Sequence, residues 1–185
     1  MPDTPDPSAP RQRLFFALWP DDAVRARFDA VAGKALKRRG RRIPAQNLHL
    51  TLAFLGSVGP ETRRCAESAA DGITGAPFTL EFTHLGYWSR ARVIWSGCDE
   101  TPEGLTALVN ALRRGLVGCG IEPEVRPYRA HLTLARKASV DPGFGAPHAP
   151  IQWPVDAIHL LESKTLSSGA QYQILRSWPL RGRLE

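Results

Sequence analysis

Two short stretches carry residues able to do chemistry, and they are nearly the same stretch. His49-Leu50-Thr51-Leu52-Ala53 lies in the first third of the chain and His131-Leu132-Thr133-Leu134-Ala135 in the last. Apolar and polar residues alternate with period two in both, which predicts a β-strand each time. On an extended strand, side chains at i and i+2 share a face. His49 and Thr51 then point one way, with Leu50, Leu52 and Phe54 pointing the other; His131 and Thr133 oppose Leu132 and Leu134 in the same manner. If the two polar faces meet across a cleft, two imidazoles and two hydroxyls converge. A pair of histidines can act as general base and general acid near neutral pH. Two threonine hydroxyls can donate hydrogen bonds to an anion held between them. Such a site can hydrolyse a phosphodiester without a metal. A lone His-x-Thr on a strand is ordinarily a solvated or satisfied pair, and a repeated strand can be a purely structural duplication. The doubling across more than eighty residues favours the chemical reading.

Other chemistries find less support. The sequence has no HExxH, no paired cysteines, no clustered carboxylates, no GxxxxGK[ST] and no GxSxG, so metal hydrolysis, nucleoside-triphosphate binding and serine-nucleophile chemistry lose ground. His84, His148 and His159 stand in no repeated context and read as core or surface histidines. No metal and no cofactor is expected. Cys65, Cys98 and Cys119 are few, odd in number and without ligand spacing, and read as reduced intracellular thiols.

The elements that must position the repeats can be read in order. Arg13 to Trp19 is a nearly continuous apolar run, predicting a strand buried on both faces. Asp21 and Asp22 can cap a helix running to about Arg38, with Val24, Phe28, Val31 and Ala35 at helical spacing. Its end carries Lys34, Lys37, Arg38, Arg39, Arg41 and Arg42, cations that either complement the helix dipole or meet an RNA backbone. Pro60 opens a second helix to about Asp71. Phe78, Leu80 and Phe82, then Val93 and Trp95, predict a hairpin turning near Ser89-Arg90. A third helix starts at Thr101-Pro102 and buries Leu105, Leu108, Val109, Leu112 and Leu116. Residues 138–154, rich in Pro and Gly, read as a long surface loop. Two last strands are expected near 155–163 and 172–178. The sum is an α+β chain with mainly antiparallel sheets and two pseudo-equivalent halves.

At 185 residues and 43% hydrophobic, the chain suits one domain with a sizeable core. The net charge of +6 favours anionic partners. Residues 1–10 read as a disordered tail and 182–185 as a frayed one, leaving 11–181 as a single catalytic domain. Neither a signal peptide nor a membrane span is read from the sequence, and a cytoplasmic monomer is expected.

HLTLAFLG at His49–Gly56 and RPYRAHLTLARK at Arg126–Lys137 resemble the two signature motifs of the two-histidine (2H) phosphoesterase superfamily. More narrowly, they resemble its bacterial and archaeal RNA 2′,3′-cyclic phosphodiesterase branch, also called LigT-like or 2′-5′ RNA ligase. RLFFAL, the segment around Arg92–Trp95 and the overall length extend the resemblance over nearly the whole chain. It implies a bilobal α+β fold, two mainly antiparallel sheets with helices outside, each lobe lending one His-x-Thr strand to a central cleft. It implies hydrolysis of an RNA terminal 2′,3′-cyclic phosphate to a 2′-phosphomonoester without a metal, by His49 as proton donor and His131 as proton acceptor; a 2H enzyme for small cyclic nucleotides is a rival reading. Thr51 and Thr133 would hold non-bridging phosphate oxygens, and Arg136 would add positive charge. Five residues after His131 a regular strand turns Arg136 to the opposite face, so its role requires a bulge or a strand end before it. Ala130 departs from the proline that often precedes this histidine in the family. The same cleft run in reverse would be a 2′-5′ ligase, and a module that binds RNA ends without catalysis is the rival of another class.

Overall fold

The computed structural model describes residues 10–36, 39–140, 145, 147–167 and 169–182. The tails expected at 1–10 and 182–185 lie almost wholly outside these residues, as do Lys37 and Arg38 of the basic run. Strand β1 (Gln12–Leu18) leads into helix α1 (Asp22–Leu36), the two-residue strand β2 (Arg41–Arg42), a 3-10 turn (Ala45–Asn47) and β3 (Leu50–Val58). Helix α2 (Pro60–Asp71), the β4 (Phe78–Trp88) and β5 (Val93–Gly97) hairpin, helix α3 (Glu103–Val117) and β6 (His131–Arg136) follow. Strands β7 (Pro147–Val155), β8 (Ala157–Leu166) and β9 (Gly169–Pro179) complete the chain. Two sheets result, one ordered β3-β1-β8-β9 and the other β2-β6-β5-β4-β7, and every pairing is antiparallel. The fold is α+β, as expected.

Local chemistry accounts for the elements. Strand β1 runs between β3 and β8, so both its edges are paired, and both its faces are buried: Leu14, Phe16 and Leu18 in the main core, Phe15 and Ala17 in a smaller cluster with Leu161. The Asp21 carboxylate accepts the Val24 N–H at 2.7 Å and caps α1. That helix buries Val24, Phe28, Ala32 and Leu36, every fourth residue, with Val31 and Ala35 at the margin of the stripe. Helix α3 buries the five residues expected of it. One core cluster continues through both sheets and all three helices.

Two expectations are corrected. Residues 147–155 form strand β7 and not part of a surface loop. Ile151, Trp153 and Val155 alternate into the core, but Pro147, Pro150 and Pro154 mask the signal. The strand lies at a sheet edge and pairs only with β4, the position where missing N–H donors are tolerated. The second correction concerns the thiols. Cys65 of α2 and Cys119, just past α3, form a disulfide with Cα atoms 5.6 Å apart, and only Cys98 is free. Their spacing of 54 residues hides a neighbour relation that arises because the two helices pack together, Gly115 fitting closely over Ala69. No helix among the described residues is long and apolar enough to cross a membrane.

The disulfide closes a long loop, so it should contribute about 2–4 kcal/mol, chiefly by constraining the unfolded chain. Under denaturing, non-reducing conditions one thiol per chain should react with a thiol reagent, and three after reduction. Urea unfolding should report the lower stability of the reduced protein. Three reactive thiols before reduction would overturn the pairing.

Candidate active site

The two His-x-Thr strands belong to different sheets: β3 is an edge of the first, and β6 lies second in the other, beside β2. Their polar faces meet. His49, Thr51, His131, Thr133 and Arg136 line one cavity of about 220 Å³, together with Phe54, Trp88 and Tyr172. The leucines between them, Leu50, Leu132 and Leu134, are fully buried. Burying these leucines fixes the register, since a one-residue slip would carry the histidines into the core.

Each histidine is oriented by the same device. His49 Nδ1 lies 2.7 Å from the carbonyl oxygen of Asn47, and His131 Nδ1 lies 2.8 Å from that of Arg129. A carbonyl only accepts, so both Nδ1 atoms carry a proton, and in the neutral ring Nε2 is left with its lone pair. The two anchoring carbonyls are themselves held in place. The Asn47 side-chain amide donates to Ala170 O at 2.7 Å. Beside Arg129, the Tyr128 hydroxyl donates to Thr51 O at 2.8 Å and ties the segment before β6 to β3.

Both rings stand among aromatics. His49 has Phe15 and Tyr172 with centroids at 5.0 Å and Trp19 stacked at 6.1 Å. His131 meets the edge of Trp88 at 4.5 Å, and Trp88 in turn packs on Trp95. Trp95 lies flat on sheet positions that only glycine allows: a Cβ on Gly86 would come within 2.1 Å of its ring, and one on Gly97 within 2.5 Å. These walls desolvate the rings in part, which disfavours the charged imidazole. Burial is the main cause that lowers the His49 pKa to about 4, with the Arg136 and His131 charges adding to it against the Asn47 hydrogen bond. Burial likewise lowers that of His131, opposed by its carbonyl bond and by Glu124.

Strand irregularities complete the cavity. Between β5 and β6 the register slips, Trp95 facing Thr133 but Ile94 facing Ala135, so Leu134 is an extra residue. This bulge resets the alternation and turns Arg136 to the face of His131 and Thr133. The condition set by the sequence is thus met. Strand β3 slips at the equivalent place, with Ala17 facing Thr51 and Phe16 facing Ala53, which makes Leu52 the extra residue. Phe54 therefore leaves the side of Leu50 and Leu52, where regular alternation put it, and stands in the cleft 63% exposed. Arg136 also faces Arg41 across the β2–β6 pair. Like charges directly opposite are unfavourable on a sheet, and an anion between them would offset the repulsion.

Phe54, Trp88, Tyr172 and the Asn47 carbonyl were not found by motif. The first was hidden by the bulge, and the others belong to segments that only tertiary packing brings to the histidines. His84, His148 and His159 lie outside the cavity: His84 pairs with Asp99 at 3.0 Å, His148 bonds the buried Ser96 hydroxyl at 2.8 Å, and His159 meets Ser177. Among the described residues no three His, Cys, Asp or Glu side chains converge as a cation site.

A histidine whose native pKa is depressed binds its proton later than in the unfolded chain. Stability should therefore fall as pH drops from 6.5 toward about 4, with His49 contributing at most about 3 kcal/mol of the loss. Urea unfolding across that interval should show a shallower loss in His49→Gln than in the wild type. Parallel curves would mean that His49 protonates as freely in the native protein as in the unfolded one.

The sequence and fold have close counterparts. The 2′-5′ RNA ligase superfamily matches residues 20–165. An Escherichia coli protein named RNA 2′,3′-cyclic phosphodiesterase is 35% identical over 91% of this chain and 97% of its own. A Thermus thermophilus protein of the same name is 30% identical over 92% of this chain and 91% of its own. The crystal structure of E. coli LigT complexed with 3′-AMP superposes with a TM-score of 0.86 at 34% identity, covering 92% of this chain and 98% of that one. With both motifs on facing strands and the match running through the two halves, this chain belongs to the 2′-5′ RNA ligase superfamily of two-histidine phosphoesterases.

Proposed function

We propose that the protein hydrolyses a 2′,3′-cyclic phosphate at the end of an RNA strand to a 2′-phosphomonoester, by paired acid–base catalysis without a metal. The observation that carries this reading is the pair of Nδ1-anchored histidines around a cavity bearing two threonine hydroxyls and Arg136. The names of the E. coli and Thermus relatives support the substrate class, and the 3′-AMP complex of E. coli LigT is in keeping with a nucleotide phosphate as ligand.

In this mechanism Thr51, Thr133 and Arg136 hold the non-bridging oxygens. His131 Nε2 takes a proton from water as the water oxygen bonds to phosphorus. The P–O3′ bond breaks, and His49 Nε2 gives its proton to the departing ribose oxygen. Each proton transfer contributes about 10²–10⁴-fold, or roughly 3–5 kcal/mol of barrier. Free His49, with its pKa lowered to about 4, is mostly neutral at physiological pH. The bound phosphate supplies the missing negative charge beside it and raises that pKa, so the acid is armed by the substrate itself. Reversal in the same cleft would form a 2′-5′ linkage, but water at bulk concentration favours hydrolysis.

We read residues 11–181 as one catalytic domain, supported by the core cluster that runs through both sheets. Every residue of the proposed mechanism comes from one chain, which supports a monomer as the working unit. A cytoplasmic setting accords with an RNA substrate. Many disulfides are reduced there, but neither Cys65 nor Cys119 lines the cleft.

Incubation with a 2′,3′-cyclic-phosphate oligonucleotide in EDTA should give a 2′-phosphate, assignable by phosphorus NMR; loss of activity that a divalent ion restores would overturn the metal-free reading. The roles separate by leaving group. A nitrophenolate leaves with little protonation, so His49→Ala should cost far less on an activated diester than on the cyclic RNA end. His131→Ala should cost both similarly, and the opposite pattern would exchange the roles. Calorimetry in buffers of different ionisation enthalpy should show proton uptake when inorganic phosphate binds near pH 6. Binding without uptake would mean that the anion does not raise the pKa of either histidine.

A further inference from the structure

The catalytic cavity opens into a much larger groove of about 1310 Å³, and Thr51, Phe54, Trp88 and His131 line both. The groove runs between the β4–β5 turn and the segment that leads into β6. Arg90 stands on the first wall, Arg126 and Arg129 on the second. All three side chains are exposed, and none makes an ion pair among the described residues. Arg113, by contrast, is spent on structure: it lies 3.9 Å from Glu124 and over the Tyr128 ring. Glu122, the groove's opposing charge, makes no ion pair among the described residues.

Resting on the proposed hydrolysis, we infer that this groove is the track for the RNA chain on the 5′ side of the cyclic phosphate, and that the protein selects cyclic ends carried on a strand over free cyclic mononucleotides. A 2′,3′-cyclic phosphate ends its chain, so the strand leaves the catalytic cavity in one direction only. The groove offers what a single strand needs along that direction: exposed cations on both walls for its phosphates, and aromatic faces for its bases. Phe54 and Trp88 stand where cavity and groove join, so the terminal bases meet rings while the phosphates behind them meet Arg90, Arg126 and Arg129. Phe54 is the telling residue. A phenylalanine 63% exposed, turned outward by a bulge in a strand whose other large side chains are buried, meets only the Phe15 ring, at 6.0 Å between centroids, among the described aromatics and leaves most of its apolar face to solvent. Stacking on a base would cover that face. The basic run beyond α1 is the competing exit, but Arg42 of that run is engaged by Asp29 at 2.5 Å.

The test compares a decanucleotide ending in a 2′,3′-cyclic phosphate with a cyclic mononucleotide, for the wild type, Arg90→Ala/Arg126→Ala, Glu122→Lys and Lys34→Ala/Arg39→Ala. The ratio of kcat/KM on the decanucleotide to that on the mononucleotide should fall at least tenfold in Arg90→Ala/Arg126→Ala. It should rise in Glu122→Lys, a gain that misfolding cannot imitate. Anisotropy of a labelled decanucleotide ending in a 2′-phosphate should show weaker binding in the double variant, with a salt slope shallower by about 0.7 for each phosphate no longer neutralised. An unchanged ratio in both groove variants, or a length-selective loss confined to Lys34→Ala/Arg39→Ala, would overturn the track. Wild-type turnover of neither substrate would instead remove the hydrolase reading beneath it.

Discussion

A histidine passes a proton from a fixed position when one ring nitrogen is committed elsewhere and the other is free. Here the commitment is made by the main chain. In each half the carbonyl two residues before the histidine takes the Nδ1 proton, and Nε2 is the nitrogen left for chemistry. Using backbone rather than a carboxylate partner has an electrostatic effect. A carboxylate would stabilise the imidazolium at all times, whereas a neutral carbonyl leaves that task to the arriving anion. The aromatic walls sharpen the dependence, because partial desolvation makes the imidazolium rely more on a nearby negative charge. Much of the remaining architecture serves this arrangement: the Asn47 and Tyr128 bonds steady the anchors, and the glycines beneath Trp95 let the wall behind His131 come close.

The second organising feature is the parity break one residue past each threonine. A strand alternates its faces without exception while its ladder is regular, so a cleft made from two regular strands would receive only every second residue. The extra residues Leu52 and Leu134 change that. Both halves then present a third side chain at the same relative position, five residues after the histidine. One half offers Phe54 and the other Arg136. The duplicated scaffold is symmetric, yet its products are an aromatic surface and a cation, and the asymmetry of a nucleotide, base at one side and phosphate at the other, suits that division.

This pattern also explains what could be read from the sequence. The histidines, the threonines, all three helices and the buried β1 were legible, because each follows from a local period or a capping residue. Arg136 was legible only as a condition, since a bulge leaves no mark in a single sequence. Phe54 was misassigned for the same reason. Strand β7 was obscured by prolines that an edge position tolerates, and edge or centre is a property of the finished sheet. The Cys65–Cys119 pair depends on how two helices pack, which neither cysteine announces. Local chemistry was readable, whereas features created by pairing and packing were not.

The order of strands in the first sheet, β3-β1-β8-β9, has a consequence for synthesis. The strand carrying His49 emerges early from the ribosome, but its sheet is completed only by the last two strands of the chain. Tyr172, one wall of the His49 pocket, is on β9. While the nascent chain lacks β8 and β9, His49 is a solvated imidazole and β1 has an open edge. Both motifs are made before the His49 pocket is whole, so catalytic competence should arrive late. The open edge of β1 during that interval is also the point at which pairing with another chain would be most damaging.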